Sequence, residues 1–177
     1  VGEVTRCGAH VGLFYGDYFA RPAKRDGAWM SSFRDQENFR TPVTPLIVNV
    51  CNFARGEPAL LSFEDARTLF HEFGHALHGL LSDVKYPRLS GTNVARDFVE
   101  LPSQLFEHWL EEPEILARFA RHYRTDAPLP RALLQRLVAA RNFNQGFATV
   151  ELLASAFVDM DLHASAPPAD PATAQDD

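Results

Sequence analysis

The sequence predicts an α+β chain, mainly helical, in which a small N-terminal antiparallel β region is followed by a helix pair and further helices. Three observations carry that prediction. Aromatic and β-branched stretches bounded by glycine or proline fill the chain up to Phe53. From Phe63 onward the apolar residues recur at three- and four-residue spacing. The later prolines then stand where helices begin, at Pro102, Pro113 and Pro130, rather than inside them.

Taken in order, Val11 to Phe19 is aromatic, apolar and glycine-bounded, which argues for a strand. Arg21 to Gly27 is a basic turn, and Ala28 to Phe33 reads as a returning strand that closes a hairpin with a long loop. Arg34 to Pro45, with Thr-Pro twice, is a loop, and Leu46 to Phe53 is β-branched and largely apolar, hence a strand. Gly56-Glu57-Pro58 turns the chain toward a helix capped by Ser62, with Glu64 and Asp65 in its first turn and no proline from Phe63 to Leu81. Ser82 to Ala95 is a loop, holding either binding groups or a plain connection, with Gly91 where flexibility would be useful.

Arg96 to Trp109 reads as a second helix with Phe98, Leu101, Leu105 and Trp109 on its apolar side. Pro102 fits only the first turn, which places the start near Asp97 or Phe98. Glu112-Pro113-Glu114 opens a helix to about Arg124, Pro130 opens another to about Phe143, and Phe147 to His163 forms a last one whose Phe and Leu stripe reads as core. Residues 1–163 then form one domain, and 164–177, poor in apolar surface, form a disordered tail.

A net charge of −6 without clustered Lys or Arg argues against nucleic acid as a partner. No apolar run is long enough to cross a membrane and no hydrophobic signal segment opens the chain, as expected of a cytoplasmic protein or a fragment of one. Two cysteines, Cys7 and Cys51, make no disulfide framework, and Cys51 sits in an apolar run as a buried thiol.

The chemistry concentrates in His71-Glu72-Phe73-Gly74-His75. Residues four apart on a helix share a face, so His71 and His75 aim at one point, while Glu72 is rotated to lie beside it. H-E-x-x-H on a helix is the pattern of two zinc ligands and a general base. A catalytic zinc site takes a third protein ligand and leaves one position for water. The second helix offers Asp97, Glu100, Gln104 and Glu107 on one polar face, and antiparallel packing would bring Glu100 opposite the imidazoles. Against this stands a core helix with incidental histidines.

HEFGHALH, LSGTN, RDFVELPSQ and EHW together resemble the thimet oligopeptidase family of zinc metallopeptidases. Within it, GLFYGDYFARPAKRDGAWM, NVCNF, and SGTN with RDFVE look more like the bacterial peptidyl-dipeptidases (dipeptidyl carboxypeptidases) than the oligopeptidase A branch. The resemblance runs from about Val11 to His163. It implies a zincin-type helix pair, one Zn²⁺ per chain held by His71, His75 and Glu100, Glu72 as catalytic base, and short peptides as substrates. It also implies that a strand edge near Ala28 to Phe33 lines the cleft; an ordinary structural ribbon is the alternative. Family members are several times longer, with a helical part before this stretch and a Gly- and Tyr-rich part after it, so residues 1–163 correspond to part of a catalytic domain and the fragment alone is expected to hydrolyse peptides poorly.

The expected reaction is metal-assisted hydrolysis, with Glu72 taking the proton of the attacking water. His78 is expected in a supporting or cleft-wall role rather than as a ligand, and Asp97, Gln104 or Glu107, the last preferred, would accept the second N–H of a ligating imidazole. His10, His108, His122 and His163 lack ligand-like spacing. Two alternatives stay open: a general oligopeptidase, and a non-catalytic module that zinc stabilises.

Overall fold

In a computed structural model, which describes residues 1–140, 142–164 and 166, the chain divides into two compact units, Val1–Pro128 and Leu129–Asp177. The first unit opens with strands β1 (Gly2–Arg6), β2 (Ala9–Phe19), β3 (Trp29–Arg34) and β4 (Leu46–Phe53). β1, unread in the sequence, pairs antiparallel with β2 through a two-residue turn whose Cys7 and Gly8 both take positive φ, 51° and 81°, the backbone that matches strand twist.

The sheet order is β1-β2-β4-β3, which corrects the expected hairpin. β4 inserts between β2 and β3, runs parallel to β2 and antiparallel to β3, and makes the sheet mixed rather than antiparallel. The physical reason is burial. β4 is buried along most of its length, as a strand covered on both faces must be, and such a strand belongs in the middle of a sheet.

Where the β2–β4 ladder slips between Asp17 and Phe19, Lys24 takes over. Its side chain is 4% exposed, and the ammonium donates to the carbonyls of Asp17 (2.9 Å), Phe19 (3.1 Å) and Cys51 (2.5 Å). The basic turn of the sequence is therefore partly an internal strut, reached through Ala23 at φ 64°.

Helix α1 (Phe63–Leu80) starts at Ser62 as expected: its hydroxyl accepts from Asp65 N and the Asp65 carboxylate accepts from Ser62 N. Such a cap is worth about 1 kcal/mol. The helix lays Ala76 and Leu80 on Ile47 of β4, with Val4, Phe14, Met30 and Phe73 packed around them.

The expected single helix from Asp97 to Trp109 is instead broken. α2 (Arg96–Val99) ends at Glu100, α3 (Leu101–Glu107) begins there with Pro102 in its first turn, and a 3₁₀ turn covers His108–Glu111. Its apolar side is also corrected: Phe98, Leu101, Leu105 and Trp109 are exposed, while Ser103 is fully buried and Phe106 stacks near Phe70 and Phe73. The face at 100, 103 and 107 turns toward α1, because α3 approaches α1 over Gly74 where only a small residue fits.

Gly91 owes its place to geometry rather than flexibility. At φ 54° it lies against Gly79, and the loop around it is tied down by Ser82, whose hydroxyl accepts from Gly91 N and donates to His78 O. α4 (Pro113–Phe119) is shorter than expected and ends the helical part of the unit, with Leu116 buried.

In the second unit, α5 (Arg131–Ala140) and α6 (Gln145–Ala164) form near the expected bounds. Neither contains a buried residue, so the core role expected of the α6 stripe is not found among the described residues. The expected disordered tail lies almost wholly outside the described residues. No described helix is long and apolar enough to cross a membrane.

Candidate active site

α1 carries His71 and His75 one turn apart, their rings 4.9 Å between centroids and nearly perpendicular. The break at Glu100 points that carboxylate back across α1. Its Oε2 lies 3.3 Å from His71 Nε2 and 3.1 Å from His75 Nε2, and one donor atom from each of the three residues falls within 4.8 Å of the others. Atoms held about 2.0–2.2 Å from one tetrahedral centre are about 3.3–3.6 Å apart, so two imidazoles and a carboxylate in this arrangement fit a zinc ion.

Glu72 is brought to the same place without joining the cluster of donors. It is buried, its Oε2 has no hydrogen-bond partner among the described residues, and Met30 of β3 lines the same cavity. Burial pushes its pKa up, the His71 charge pulls it down, Glu100 raises it and the Met30 N–H lowers it; the net shift is upward. A carboxylate in such surroundings is a better proton acceptor than one in water.

Two of the converging residues, His75 and Glu100, are shifted toward the forms that can donate to a metal. Burial lowers the His75 pKa despite Glu100, which favours the neutral ring. Burial raises Glu100, but the Ser103 hydroxyl and the charges of His75 and His71 outweigh it and leave the carboxyl below its ordinary value. Behind them, His71 Nδ1 meets Glu107 Oε1 at 2.7 Å, which fixes the tautomer that leaves Nε2 free, and Arg67 Nε lies 3.9 Å from the other Glu107 oxygen.

A cavity of about 310 Å³ joins these groups to Ala28, Trp29 and Met30 at the start of β3 and to Thr92 of the 82–95 loop. Of the supporting residues considered in the sequence, Glu107 is in place, whereas Asp97 and Gln104 are exposed. His78 lines a different, largely apolar cavity with Leu77, Leu81 and Trp109, and its ring meets Phe98 edge-on. His10 and His122 bond to Glu3 and Thr125, and His163, in the second unit, bonds to the carbonyl of Asp159. The sequence reading missed Ser103 and Gly74; the one signal was that Ser103 stands three residues after Glu100, within reach of its side chain.

The sequence profile of peptidase family M3 matches residues 2–176. The chain belongs to peptidase family M3. This M3 chain is 51% identical over 159 residues to the dipeptidyl carboxypeptidase of Escherichia coli (strain K12), covering 88% of the chain and 23% of that protein. It is 48% identical over 159 residues to the dipeptidyl carboxypeptidase of Salmonella typhimurium (strain LT2), with the same coverage. To the oligopeptidase A of Salmonella typhimurium it is 42% identical over 159 residues, covering 86% of the chain and 23% of that protein. Identity is thus higher to the first two, as GLFYGDYFARPAKRDGAWM and NVCNF led one to expect, and the chain spans about 23% of the length of these M3 relatives.

Proposed function

We propose that this chain carries the zinc-binding and proton-transfer part of a metallopeptidase that releases dipeptides from the free C-terminus of short peptides. The observation that carries the reading is the convergence of His71, His75 and Glu100 beside a buried Glu72 whose Oε2 is unpartnered. His71 Nε2, His75 Nε2 and the Glu100 carboxylate would hold the ion, one per chain. A zinc ion there supplies Lewis acidity, lowering the pKa of water and polarising a carbonyl.

The chain's own residues do the rest. Glu107 accepts a hydrogen bond from His71 Nδ1–H and so keeps the opposite nitrogen unprotonated. Glu72 takes the proton of the attacking water at Oε2, and the carboxyl so formed returns it to the departing amine. β3 is an edge strand, and its Trp29 and Met30 line the cavity, so an extended peptide can add along it with its scissile carbonyl near Glu72. The higher identity to the dipeptidyl carboxypeptidases supports dipeptide release over general oligopeptidase action.

Glu72→Gln in the native full-length protein is expected to keep its zinc and to lose roughly a hundredfold to ten-thousandfold in turnover. His71→Ala and Glu100→Ala should weaken zinc binding as well. Metal content and turnover measured together decide it: near-normal turnover in Glu72→Gln removes Glu72 from the mechanism. Equal cleavage of C-terminally amidated and free peptides would favour a general oligopeptidase, and one zinc with no hydrolysis at all would favour a zinc-stabilised module.

A further inference from the structure

Glu100 has to be held in place by something other than its own surroundings. It sits at a helix break with a side chain 48% exposed, and an exposed glutamate in water samples many rotamers. Two residues outside the donor set restrain it. Ser103, fully buried one turn into α3, brings its Oγ to 2.8 Å from Glu100 Oε2 and 2.9 Å from the Glu100 carbonyl, so its single proton is shared between two acceptors on one residue. That same Oε2 is the oxygen facing both imidazoles.

The height of Ser103 above α1 is in turn set by Gly74. A Cβ at position 74 would lie 2.6 Å from Pro102 O, 2.6 Å from Ser103 Cα and 3.0 Å from Phe106 Cβ. Two of these are backbone atoms that no side-chain rotation moves aside. Ordinary contact begins at 3.4 Å, so α3 would have to retreat by several tenths of an ångström and take Ser103 with it. Metal–ligand distances tolerate only about 0.2 Å.

We infer that Gly74 and Ser103 are positioning residues that set the zinc affinity of the site by fixing Glu100 over His71 and His75. This rests on the metal-site reading above. It makes Gly74, between the two histidines in sequence, a determinant of where the third ligand stands rather than a spacer in the motif.

The test titrates the chain with Zn²⁺ against a chelating dye, with Co²⁺ spectra as a probe of ligand number. Ser103→Ala, which removes one oxygen and leaves the packing, is expected to weaken zinc binding about 10- to 100-fold, the range found for residues that orient ligands. Gly74→Ala is expected to weaken it at least as much, with a Co²⁺ spectrum that has lost tetrahedral intensity. Gly79→Ala is the control: its Cβ would meet Ile47 Cδ1 at 2.7 Å and Met30 Cε at 2.9 Å, the mobile ends of side chains on the sheet. That variant should melt earlier yet bind zinc within about threefold of the parent, since other packing absorbs it.

A double-mutant cycle makes the claim specific. In a Glu100→Ala background, Ser103→Ala should have no further effect on affinity, because it acts through Glu100. The same loss in both backgrounds, or Ser103→Ala binding as tightly as the parent, would overturn the inference while leaving the metal site standing. A parent chain that binds no zinc would overturn both.

Discussion

Helices α1 and α6 are of similar length, 18 and 20 residues, but they meet their surroundings in opposite ways. α1 carries seven ionisable side chains and buries Glu72, Gly74, His75, Ala76, Gly79 and Leu80. α6 carries four, presents Phe147, Leu152, Phe157 and Met160 outward, and buries nothing. Burial therefore does not follow apolar content. It follows small residues placed where another element can approach: Gly74 under α3, Ala76 and Gly79 under β4. That close approach is also what carries polar groups inward and gives α1 its chemistry.

The largest effect that separates the two helices is a cavity under α1. Ile47→Ala removes a side chain 1% exposed, wedged between Ala76 and Leu80, and should destabilise the chain by about 2–5 kcal/mol. Leu153→Ala, on the 45% exposed side of α6, should stay within about 0.5 kcal/mol. Urea denaturation followed by circular dichroism compares them. If Leu153→Ala proves as damaging as Ile47→Ala, α6 is covered in solution and the contrast fails.

The same contrast explains what the sequence could and could not disclose. The Ser62 cap, the His71/His75 spacing and the position of Glu100 opposite the imidazoles rest on local geometry or on one helix facing another, and they were readable. The place of β4 between β2 and β3 was not, because strand order is a long-range choice that residue patterns within Val11 to Phe53 leave open. Nor was the face of α3. A stripe of Phe98, Leu101 and Leu105 looks like a core side until Gly74 draws Ser103 inward and leaves the stripe outside. Lys24 was readable only as part of a basic turn, because its partners are backbone carbonyls, which no sequence pattern advertises.

Lys24 supplies the next effect in size. Lys24→Met keeps the stem but leaves the carbonyls of Asp17, Phe19 and Cys51 without their donor where the β2–β4 ladder slips; those of Asp17 and Cys51 are partly buried, and a buried acceptor left so costs about 1–3 kcal/mol. Relief of the buried charge offsets part of this, so a net loss of about 1–3 kcal/mol is expected. Glu151→Gln on exposed α6, by comparison, should be neutral within about 0.5 kcal/mol. A neutral Lys24→Met would mean that the ladder closes on itself without the strut.

The smallest effect is electrostatic and shows itself through pH. Asp17 pairs with Arg21 at 2.7 and 2.9 Å and with Lys24 at 3.2 Å, and Arg21 first, against the opposing effect of burial and with help from Lys24, holds its carboxyl below the ordinary 3.8. A depressed carboxylate stabilises the fold at pH values above its unfolded pKa, and that contribution fades as pH falls from 3.8 through the folded value, because the unfolded chain then binds the proton first. With Asp17 38% exposed, solvent screening limits the effect to a few tenths of a kcal/mol. Asp17→Asn should therefore be less stable than the parent by a nearly constant amount from pH 7 to about pH 5, the gap closing below 3.8. On α6, Asp159 and His163 stand 3.2 Å apart with 72% and 76% of their side chains exposed, and Asp159→Asn should leave stability unchanged at pH 7. Chemical denaturation of both variants across pH 3 to 7 checks the pair, and a gap for Asp17→Asn that widens on acidification would have the wrong sign for a carboxylate held by Arg21.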